Sequence, residues 1–377
     1  MSITDSVKAL ARELGFDLVG IASAAPFTER GRIAAERLRA GLMGDLPWYT
    51  EERVARGTDP ERALPGARSI IALGVSYRAP EPPAPDAEPR GRISSYAWGQ
   101  DYHNLLERRT RSFARRLPDL AGRPVRARWY TDTGPLQDRA VAERAGIGWF
   151  GKNTNILTRI GSWAFLSEVV TDLELEPDAP LKKTCGGCAR CVEACPTGAL
   201  TPYALDANTC ISYLTIEDRG PIPRPLRPLM GDWVFGCDIC QDVCPVNRKA
   251  QLTRDRAFWA ADGEAARPRL VDLLSLTDEG FAARFQGSPV RRARNDGLKR
   301  NVCVALGNLG DRRAVPALAR ALRDESTLVR GHAAWALGRI GGEEAEAALR
   351  AAGAQEDDPT VLEEIAAAHE DLKEGGR

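Results

Sequence analysis

Four cysteines within eleven positions, followed by a proline, constrain this sequence more than any other feature. The run is Cys185-x2-Cys188-x2-Cys191-x3-Cys195-Pro196, which is the spacing found in bacterial ferredoxins. Short spacers let three thiolates of one loop bind one face of a four-iron cluster, while the cysteine before proline points to a second cluster. The run therefore predicts a small module organised by two 4Fe-4S clusters.

A second cysteine run completes the ligand set. It ends in Cys237-x2-Cys240-x3-Cys244-Pro245 and lacks a first cysteine, which Cys210 in ANTCISYL can replace from a distance. The fourth cysteine of each run ligates the cluster of the other run. One predicted cluster is therefore held by Cys185, Cys188, Cys191 and Cys244. The other is held by Cys195, Cys210, Cys237 and Cys240.

Structural zinc sites are the alternative for these cysteines. All-cysteine zinc sites usually show two separated C-x2-C pairs rather than a four-cysteine run before a proline, so we favour iron–sulfur clusters. The remaining cysteine, Cys303, lies on the apolar face of a predicted helix and is expected to be a buried, inert thiol.

The composition favours a cytoplasmic protein without membrane contact. The first residues, MSITDSVKALARELGF, have neither the basic start nor the apolar core of a signal peptide. No apolar run approaches the roughly 20 residues that a bilayer span needs. Because free thiols stay reduced in the cytoplasm, crowded cysteines there favour metal binding or redox chemistry over disulfides. Lysine plus arginine and aspartate plus glutamate each number 52, so only a local cluster of charge can indicate an anionic partner.

The pattern along the 377 residues predicts a multidomain protein of the α+β or α/β class. Strand-like runs at 17–22, 69–77, 125–130 and 163–170 alternate with helical stretches. The predicted parts are an α/β domain at 1–180, a ferredoxin-like two-cluster module at 181–250, connecting helices at 251–285 and a helical repeat at 286–377. The proline-rich stretch 78–91 is expected to be an exposed loop, with a lid over a site as the alternative.

An internal repeat supports the helical C-terminal part. LKRNVCVALGNLGD at 298–311 returns as VRGHAAWALGRIGG at 329–342, an offset of 31 residues. This period resembles HEAT-type repeats, in which stacked helix pairs bury faces that no single repeat can cover. The matched positions are Ala305 with Ala336, Leu306 with Leu337, Gly307 with Gly338 and Gly310 with Gly341.

Two local patterns suggest ligands. Asp132 follows a predicted strand and precedes a helix expected to begin near Pro135, which is a common place for a site carboxylate, although a helix cap is the alternative. The segment 290–300, VRRARNDGLKR, carries a net charge of +4 and is typical of phosphate-binding patches. For the second basic stretch, 107–116, we favour a solvated helix surface.

Several motifs in one order resemble the epoxyqueuosine reductase family. They are WGQDYH, DTGPLQDRAVAERAGIGWFGKN, CGGCARCVEACPTGAL, FGCDICQDVCPVN and RGHAAWALGRIG. Members of this family are cobalamin-dependent iron–sulfur enzymes that act on tRNA. They reduce the epoxide of epoxyqueuosine at the wobble position to the alkene of queuosine, consume two electrons and two protons, and release water.

The resemblance implies a set of cofactors, partners and site residues. It implies a base-off corrinoid without a protein histidine ligand, an external low-potential electron donor and a monomeric protein. Asp132 matches the family's acid, and His103 is expected to contact the substrate or corrinoid, or else to make a structural hydrogen bond. The positions that match the family near the corrinoid are Arg53, Ser94, Asp132, Asn153, Ser212 and Asp238. The expected tRNA contacts are Arg219, Arg291, Arg292, Arg294, Lys299 and Arg300.

Two other functions share part of this pattern. A corrinoid reductive dehalogenase of small molecules would leave the helical repeat and its basic segment without a role. A two-cluster electron carrier would need neither Asp132 nor a corrinoid pocket.

Overall fold

The computed structural model describes residues 2–83 and 87–375, which form two compact units interleaved along the chain. Unit 1 consists of Met1–Pro80, Gln100–Asn208 and Ile239–Trp259, and unit 2 of Glu81–Gly99, Thr209–Asp238 and Ala260–Arg377. The centre of the predicted loop, 84–86, lies outside the described residues. The predicted sequential domain boundaries stay predictions.

The helices and strands have the following bounds. The helices are α1 Ile3–Glu13, α2 Thr28–Arg39, α3 Glu51–Gly57, α4 Pro60–Ala63, α5 Tyr102–Arg115, α6 Leu117–Ala121, α7 Asp138–Arg144, α8 Arg190–Glu193, α9 Ile211–Ile216, α10 Ile239–Asp242, α11 Gly263–Ala266, α12 Leu270–Leu274, α13 Asp278–Arg284, α14 Arg294–Leu309, α15 Val315–Ala321, α16 Thr327–Ile340, α17 Glu343–Gly353 and α18 Pro359–Gly375. The strands are β1 Leu18–Ser23, β2 Ser69–Ser76, β3 Arg92–Ile93, β4 Ala127–Tyr130, β5 Gly148–Phe150, β6 Ile156–Thr158, β7 Ala164–Thr171, β8 Leu200–Thr201, β9 Ala204–Leu205 and β10 Trp233–Phe235.

Unit 1 is built on a four-stranded sheet in the order β1-β2-β7-β4. All three strand pairs are antiparallel, so this unit is α+β rather than parallel α/β. The four strand-like runs predicted from the sequence correspond to these four strands, so their prediction is confirmed. Every residue of β2 is buried, as its apolar run requires, and α7 packs on the sheet through Ala140 and Val141 beside Ile70.

The helix expected near Pro135 begins later, at Asp138. The backbone N–H of Gln137 donates to the Gly57 carbonyl at 3.1 Å, and the ψ angle of Gln137 is 88°. This bond outside the helix keeps the chain non-helical up to Gln137. The seven residues from Thr131 to Gln137 therefore form a turn between β4 and α7 that can position side chains.

Unit 2 contains the stack of repeat helices α14 to α18, and its helical nature confirms the HEAT-type prediction. A Cβ atom at Gly307 would lie 2.6 Å from Trp335, and one at Gly338 would lie 2.8 Å from Ala368. Equivalent glycines of the two repeats thus allow α14 to approach α16, and α16 to approach α18. Cys303 is fully buried in α14, as predicted.

No helix within 2–83 and 87–375 has the length and apolar character needed to cross a membrane.

Candidate active site and cluster module

Asp132 lies in a hydrogen-bonded group of unit 1. Its Oδ2 accepts a hydrogen bond from the Tyr102 hydroxyl at 2.6 Å and lies 3.3 Å from Nε2 of His103. Both partners come from the first turn of α5, and the Tyr102 ring stacks on Phe165 with 4.1 Å between centroids. The backbone of Asp132 is left-handed, with φ of 56°. Such conformations are uncommon outside glycine and concentrate at functional sites.

Arg53 and Gly134 hold the turn that carries Asp132. The Nη2 of Arg53 donates to the Gly134 carbonyl at 2.7 Å, and its guanidinium lies 5.2 Å from the Trp48 ring centroid. A Cβ atom at Gly134 would lie 2.4 Å from the Cβ of Tyr130, so only glycine lets the turn pass this close to β4. The structure thus gives Arg53 contact with the turn carrying Asp132.

His103 bridges two carboxylates. Its Nδ1 lies 2.7 Å from Oδ1 of Asp101, and its Nε2 lies 3.3 Å from Oδ2 of Asp132. Only the doubly protonated ring can donate to both. Burial opposes this charge, but the hydrogen bonds and charges of Asp101 and Asp132 outweigh burial and raise the pKa of His103 to about 9. His103 is therefore an imidazolium at neutral pH.

The same contacts determine the protonation of Asp132. Burial acts to raise its pKa, whereas the hydrogen bonds from His103 and Tyr102 lower the pKa by more, so the pKa lies below its ordinary value. The Asp132 side chain is 57% exposed, and this carboxylate faces a cavity. In the free protein the proton of this pair resides on His103 at neutral pH.

The cavity has a volume of about 720 Å³ and is lined entirely by unit 1. This volume is within the roughly 300–1,000 Å³ of small-molecule and cofactor sites. Two donors in its wall, Gln137 Nε2 and Trp149 Nε1, are buried without an acceptor in the described part of the chain. Buried donors of this kind indicate a ligand that carries acceptors. The amide groups around a corrinoid supply such acceptors, so these residues fit that cofactor.

A pair of acids that the sequence analysis missed lies near Asp132. Asp138 begins α7 and lines the cavity, and Glu168 on β7 is 1% exposed. Their carboxyl groups form a hydrogen bond with each other, which requires a proton between them. Burial, followed by the charge of Asp132, raises the pKa of Asp138 to about 7. Burial, followed by the charge of Asp138, raises the pKa of Glu168 well above its ordinary value.

The predicted ligands of the first cluster lie together in unit 1. The thiol of Cys185 acts electrostatically on Cys191 and Cys244, and the thiol of Cys188 acts on Cys244. Burial first, and then these neighbouring thiols, raise the pKa of Cys191 and Cys244. The backbone N–H of Lys152 donates to Cys185 Sγ at 3.4 Å, and hydrogen bonds to sulfur tune the potential of iron–sulfur clusters. Thiols from both runs are therefore neighbours, which supports the predicted set.

The predicted ligands of the second cluster are divided between the units. Cys195 and Cys240 belong to unit 1, whereas Cys210 and Cys237 belong to unit 2. The carbonyl of Cys240 accepts a hydrogen bond from Asn153 Nδ2 at 3.2 Å, so Asn153 contacts the second cysteine run. The assignment of this cluster stays a prediction.

Three of the predicted corrinoid residues lie in unit 2. The Ser94 hydroxyl donates to Oδ1 of Asp238, and the backbone N–H of Ser95 donates to Oδ2 at 2.7 Å. Burial raises the pKa of Asp238. Ser212 lies on α9, where its carbonyl accepts a hydrogen bond from the Thr215 hydroxyl at 3.3 Å. Their roles toward a corrinoid stay predictions.

The predicted RNA-binding segment exposes part of its charge. Arg291, Arg292 and Arg294 are exposed, although Arg292 also pairs with Glu217 at 2.9 Å. Arg219 donates to the carbonyl of Arg292 at 2.7 Å and so contacts the backbone of the same segment. These arginines form an accessible positive surface in unit 2.

Lys299 and Arg300 require a correction. Arg300 is 0% exposed and donates to the Gly220 carbonyl at 2.6 Å. Lys299 pairs with Asp324 at 2.8 Å and its side chain is only 14% exposed. Because Arg300 satisfies backbone carbonyls in the interior, its guanidinium has no surface on which a phosphate could bind. These two residues stabilise the repeat instead of extending the surface.

Some of the missed residues carried a signal in the sequence. Glu168 is an acid in the strand sequence AFLSEVVT, whose neighbours are mostly buried, and a charge in such a strand must be paired or neutralised. Asp138 gave no comparable signal, because an acid at the first turn of a helix is the ordinary preference. The buried donors of Gln137 and Trp149 can be recognised only once the cavity is known.

Models of three protein families match separate parts of the chain. A model described as epoxyqueuosine reductase QueG matches residues 57–133, one described as a 4Fe-4S double cluster binding domain matches 184–247, and one for HEAT repeats matches 290–369. The second match contains all eight predicted cluster ligands, so this segment is a double-cluster iron–sulfur domain.

Relatives and solved structures extend the similarity over nearly the whole chain. The epoxyqueuosine reductase of Bacillus cereus is 35% identical over 373 residues, which cover 96% of each protein. A crystal structure of epoxyqueuosine reductase with an epoxyqueuosine-modified tRNA-Tyr stem loop matches with a TM-score of 0.91 and 33% identity over 98% of both chains. The Bacillus subtilis enzyme, described with its aspartate-bearing catalytic loop swung out of the active site, matches with a TM-score of 0.89 and 32% identity over 98% of both chains. The chain therefore belongs to the epoxyqueuosine reductase family.

Proposed function

We propose that this chain reduces epoxyqueuosine in tRNA to queuosine, with electrons that pass from two 4Fe-4S clusters to a corrinoid. The observation that carries this proposal is the cavity of unit 1, where Asp132, bonded by Tyr102 and His103, lies in the same wall as the buried donors of Gln137 and Trp149. Family membership, and the tRNA stem loop bound by a relative, support this substrate.

The first 4Fe-4S cluster is proposed to be ligated by Cys185, Cys188, Cys191 and Cys244, whose thiols are neighbours in unit 1. Iron–sulfur clusters supply single electrons at low potential when bound. The N–H of Lys152 donates to Cys185 Sγ, and a hydrogen bond of this kind stabilises the more negative, reduced form of a cluster. An external low-potential donor supplies the electrons. We place the reaction in the cytoplasm, where tRNA is found and thiols stay reduced.

The corrinoid is proposed to occupy the cavity. Gln137 and Trp149 would donate hydrogen bonds to the corrinoid, and Arg53 lines the same wall. Asn153, Ser94, Ser212 and Asp238 are proposed as further contacts from the sequence match. A corrinoid cobalt in a low-valent state supplies reducing electrons at the epoxide when bound. We also propose a monomeric enzyme, as the sequence match implies.

Asp132 is proposed to deliver a proton to the epoxide oxygen. Opening of the epoxide places negative charge on that oxygen, and a donor at hydrogen-bond distance lowers the barrier. His103 holds the proton at neutral pH and is hydrogen-bonded to Asp132. The imidazolium proton therefore has a direct route to the carboxylate that faces the cavity. The left-handed backbone of Asp132 and the catalytic loop that is swung out of the active site in a relative support a turn that moves when substrate binds.

The exposed arginines of unit 2 are proposed to bind the tRNA backbone. Arg291, Arg292 and Arg294 lie on the surface at the start of the repeat, and Arg219 contacts the same segment. Arginine neutralises phosphate and releases counterions, so binding through these residues depends on salt. Lys299 and Arg300 do not take part because they are paired or buried.

Replacement of Asp132 by asparagine tests the proposed proton donor. D132N keeps the size of the side chain but removes the carboxylate that accepts and passes on the proton. We expect the single-turnover rate of epoxyqueuosine reduction in tRNA to fall by about 100-fold or more, while iron content, corrinoid binding and tRNA affinity stay unchanged. The rate is measured by nucleoside mass spectrometry of the quenched tRNA.

The matched control is D119N, which makes the same change at an exposed acid of α6 outside the cavity wall. We expect D119N to reduce the substrate at the wild-type rate. A D132N rate close to that of D119N would exclude Asp132 as the acid.

A further inference from the structure

The proposed reduction consumes two protons, whereas the bonded pair of His103 and Asp132 accounts for one. The cavity wall contains a second site at which a proton is held. Asp138 lines the cavity, and its carboxyl group is hydrogen-bonded to that of Glu168. The structure therefore has one proton-bearing group for each proton of the reaction.

The environment of this pair favours a bound proton. Glu168 is 1% exposed on the central part of the sheet, where it lies opposite Ala72 on β2 and Tyr130 on β4. In the described part of the chain, Asp138 Oδ1 and Glu168 Oε1 are buried without a hydrogen-bond donor. Two ionised carboxylates in this position would repel each other in a medium of low polarity. At least one proton therefore stays on the pair, and the raised pKa of Asp138 adds a second one below about pH 7.

The charged groups around the pair set the pH at which it titrates. The pKa of Asp138 depends on Glu168 from β7, on Asp132 from the turn after β4 and on Arg139 from α7 itself. The pKa of Glu168 is raised by burial first and then by Asp138 and Asp132. After burial, Glu168 in turn contributes to the raised pKa of Tyr130 on β4. Burial, as the largest effect, and the charge of Asp132 oppose ionisation of Asp138, whereas the hydrogen bond with Glu168 and the charge of Arg139 favour it. Asp138 therefore changes protonation near pH 7, and Glu168 stays protonated.

We propose that the Asp138–Glu168 pair holds the second proton of the reaction and passes it to the leaving oxygen, either across the cavity or through Asp132. This inference rests on the proposed function. Two electrons enter, both C–O bonds of the epoxide break and a C=C bond forms. The oxygen leaves as water with one proton from His103 through Asp132 and one from Asp138. The pair changes from two protons to one, so the buried site never carries two charges.

The charge of Asp132 determines when Asp138 releases its proton. The negative charge of Asp132 raises the pKa of Asp138, so the pair is loaded while Asp132 is ionised. When Asp132 is neutral, that influence is lost and Asp138 releases its proton more readily. Release is therefore favoured at the stage when Asp132 has received the proton of His103.

The pH dependence of single-turnover reduction by the holoenzyme tests the proposal. For the wild type we expect the rate to fall as the pH rises through about 7, where Asp138 loses its proton, and again through about 9, where His103 does. D138N, which cannot hold the proton, should lose the step near pH 7 and react about 100-fold more slowly below it. E168Q, which donates to Asp138 as the protonated Glu168 does, should keep that step near pH 7.

An infrared titration of the holoenzyme without tRNA gives a readout that needs no turnover. We expect a protonated carboxyl band that disappears with a midpoint near pH 7 in the wild type, and that D138N abolishes. If the wild type shows no such band, or D138N leaves it in place, the proposal is overturned even where epoxyqueuosine is reduced. If the band behaves as expected but no tRNA is reduced, the proposed function fails and the proton assignment stands.

A structural role alone makes a different prediction. D138N would then lower thermal stability and leave the step near pH 7 in place. A step near pH 7 that persists in D138N would therefore overturn the inference, and D138E, which retains a carboxyl group, should recover the step near pH 7 if the inference holds.

Discussion

At the scale of single residues, site residues that lie a few positions apart in the sequence were easier to predict than those that only the fold brings together. Cys185, Cys188 and Cys191 follow from the ligand geometry of one loop, and their proximity to Cys244 in unit 1 supports the crossed pattern. Asp138 and Glu168 are about 30 positions apart in the sequence, and only the packing of α7 on β7 brings their carboxyl groups together.

Replacement of Cys244 tests the crossed ligand set. C244S should disturb the cluster of Cys185, Cys188 and Cys191, because its thiol lies beside theirs, and should leave the other cluster intact. Iron content and electron paramagnetic resonance of the reduced protein measure this. C303S, which changes a buried thiol outside the module, is the control and should retain both clusters. Loss of the cluster assigned to Cys237 and Cys240, with the other intact, would show that the runs are not crossed.

At the scale of secondary structure, apolar periodicity predicted the strands, whereas backbone contacts made elsewhere changed the start of a helix. The four strand runs form one sheet, in which β2 is fully buried and β4 at the edge is half-buried to exposed. The helix after Asp132 begins at Asp138 because Gln137 donates its N–H to Gly57, a bond that no local pattern reveals. The repeat glycines were predictable as a pattern, but their function as close contacts between helices required the packing.

A pair of glycine substitutions in one helix tests that packing. G307A places a methyl group 2.6 Å from Trp335 and should lower the local stability of α14 and α16 by about 1–3 kcal/mol. G297A in the same helix meets no atom within 4 Å and should raise stability by about 0.5–1 kcal/mol, since alanine loses less backbone entropy. Hydrogen exchange of the amides in α14 measures both. Equal protection in the two variants would contradict the role of Gly307.

At the scale of the whole molecule, the order of the three family matches along the chain was predictable, but the grouping into compact units was not. Residues 81–99 and 209–238 belong to unit 2, where β3 pairs in parallel with β10. Asn301 of α14 donates to the carbonyls of Thr215 and Val234 at 2.9 Å. These contacts join segments that are far apart in sequence, and hydrophobic periodicity carries no information about such partners. Parts of the N-terminal and cysteine-rich segments of the sequence therefore belong to unit 2, whereas the rest of these segments belongs to unit 1.

The central claim, that this chain reduces epoxyqueuosine in tRNA, is tested most directly by the nucleoside product. The full-length protein, anaerobically reconstituted with iron, sulfide and cobalamin, is incubated with epoxyqueuosine-containing tRNA and a low-potential reductant, and the digested tRNA is analysed by mass spectrometry. We predict conversion of epoxyqueuosine to queuosine, with loss of one oxygen atom, only when cobalamin is present. Unchanged epoxyqueuosine with a protein whose two clusters and corrinoid are shown spectroscopically to be loaded and reduced would contradict the account.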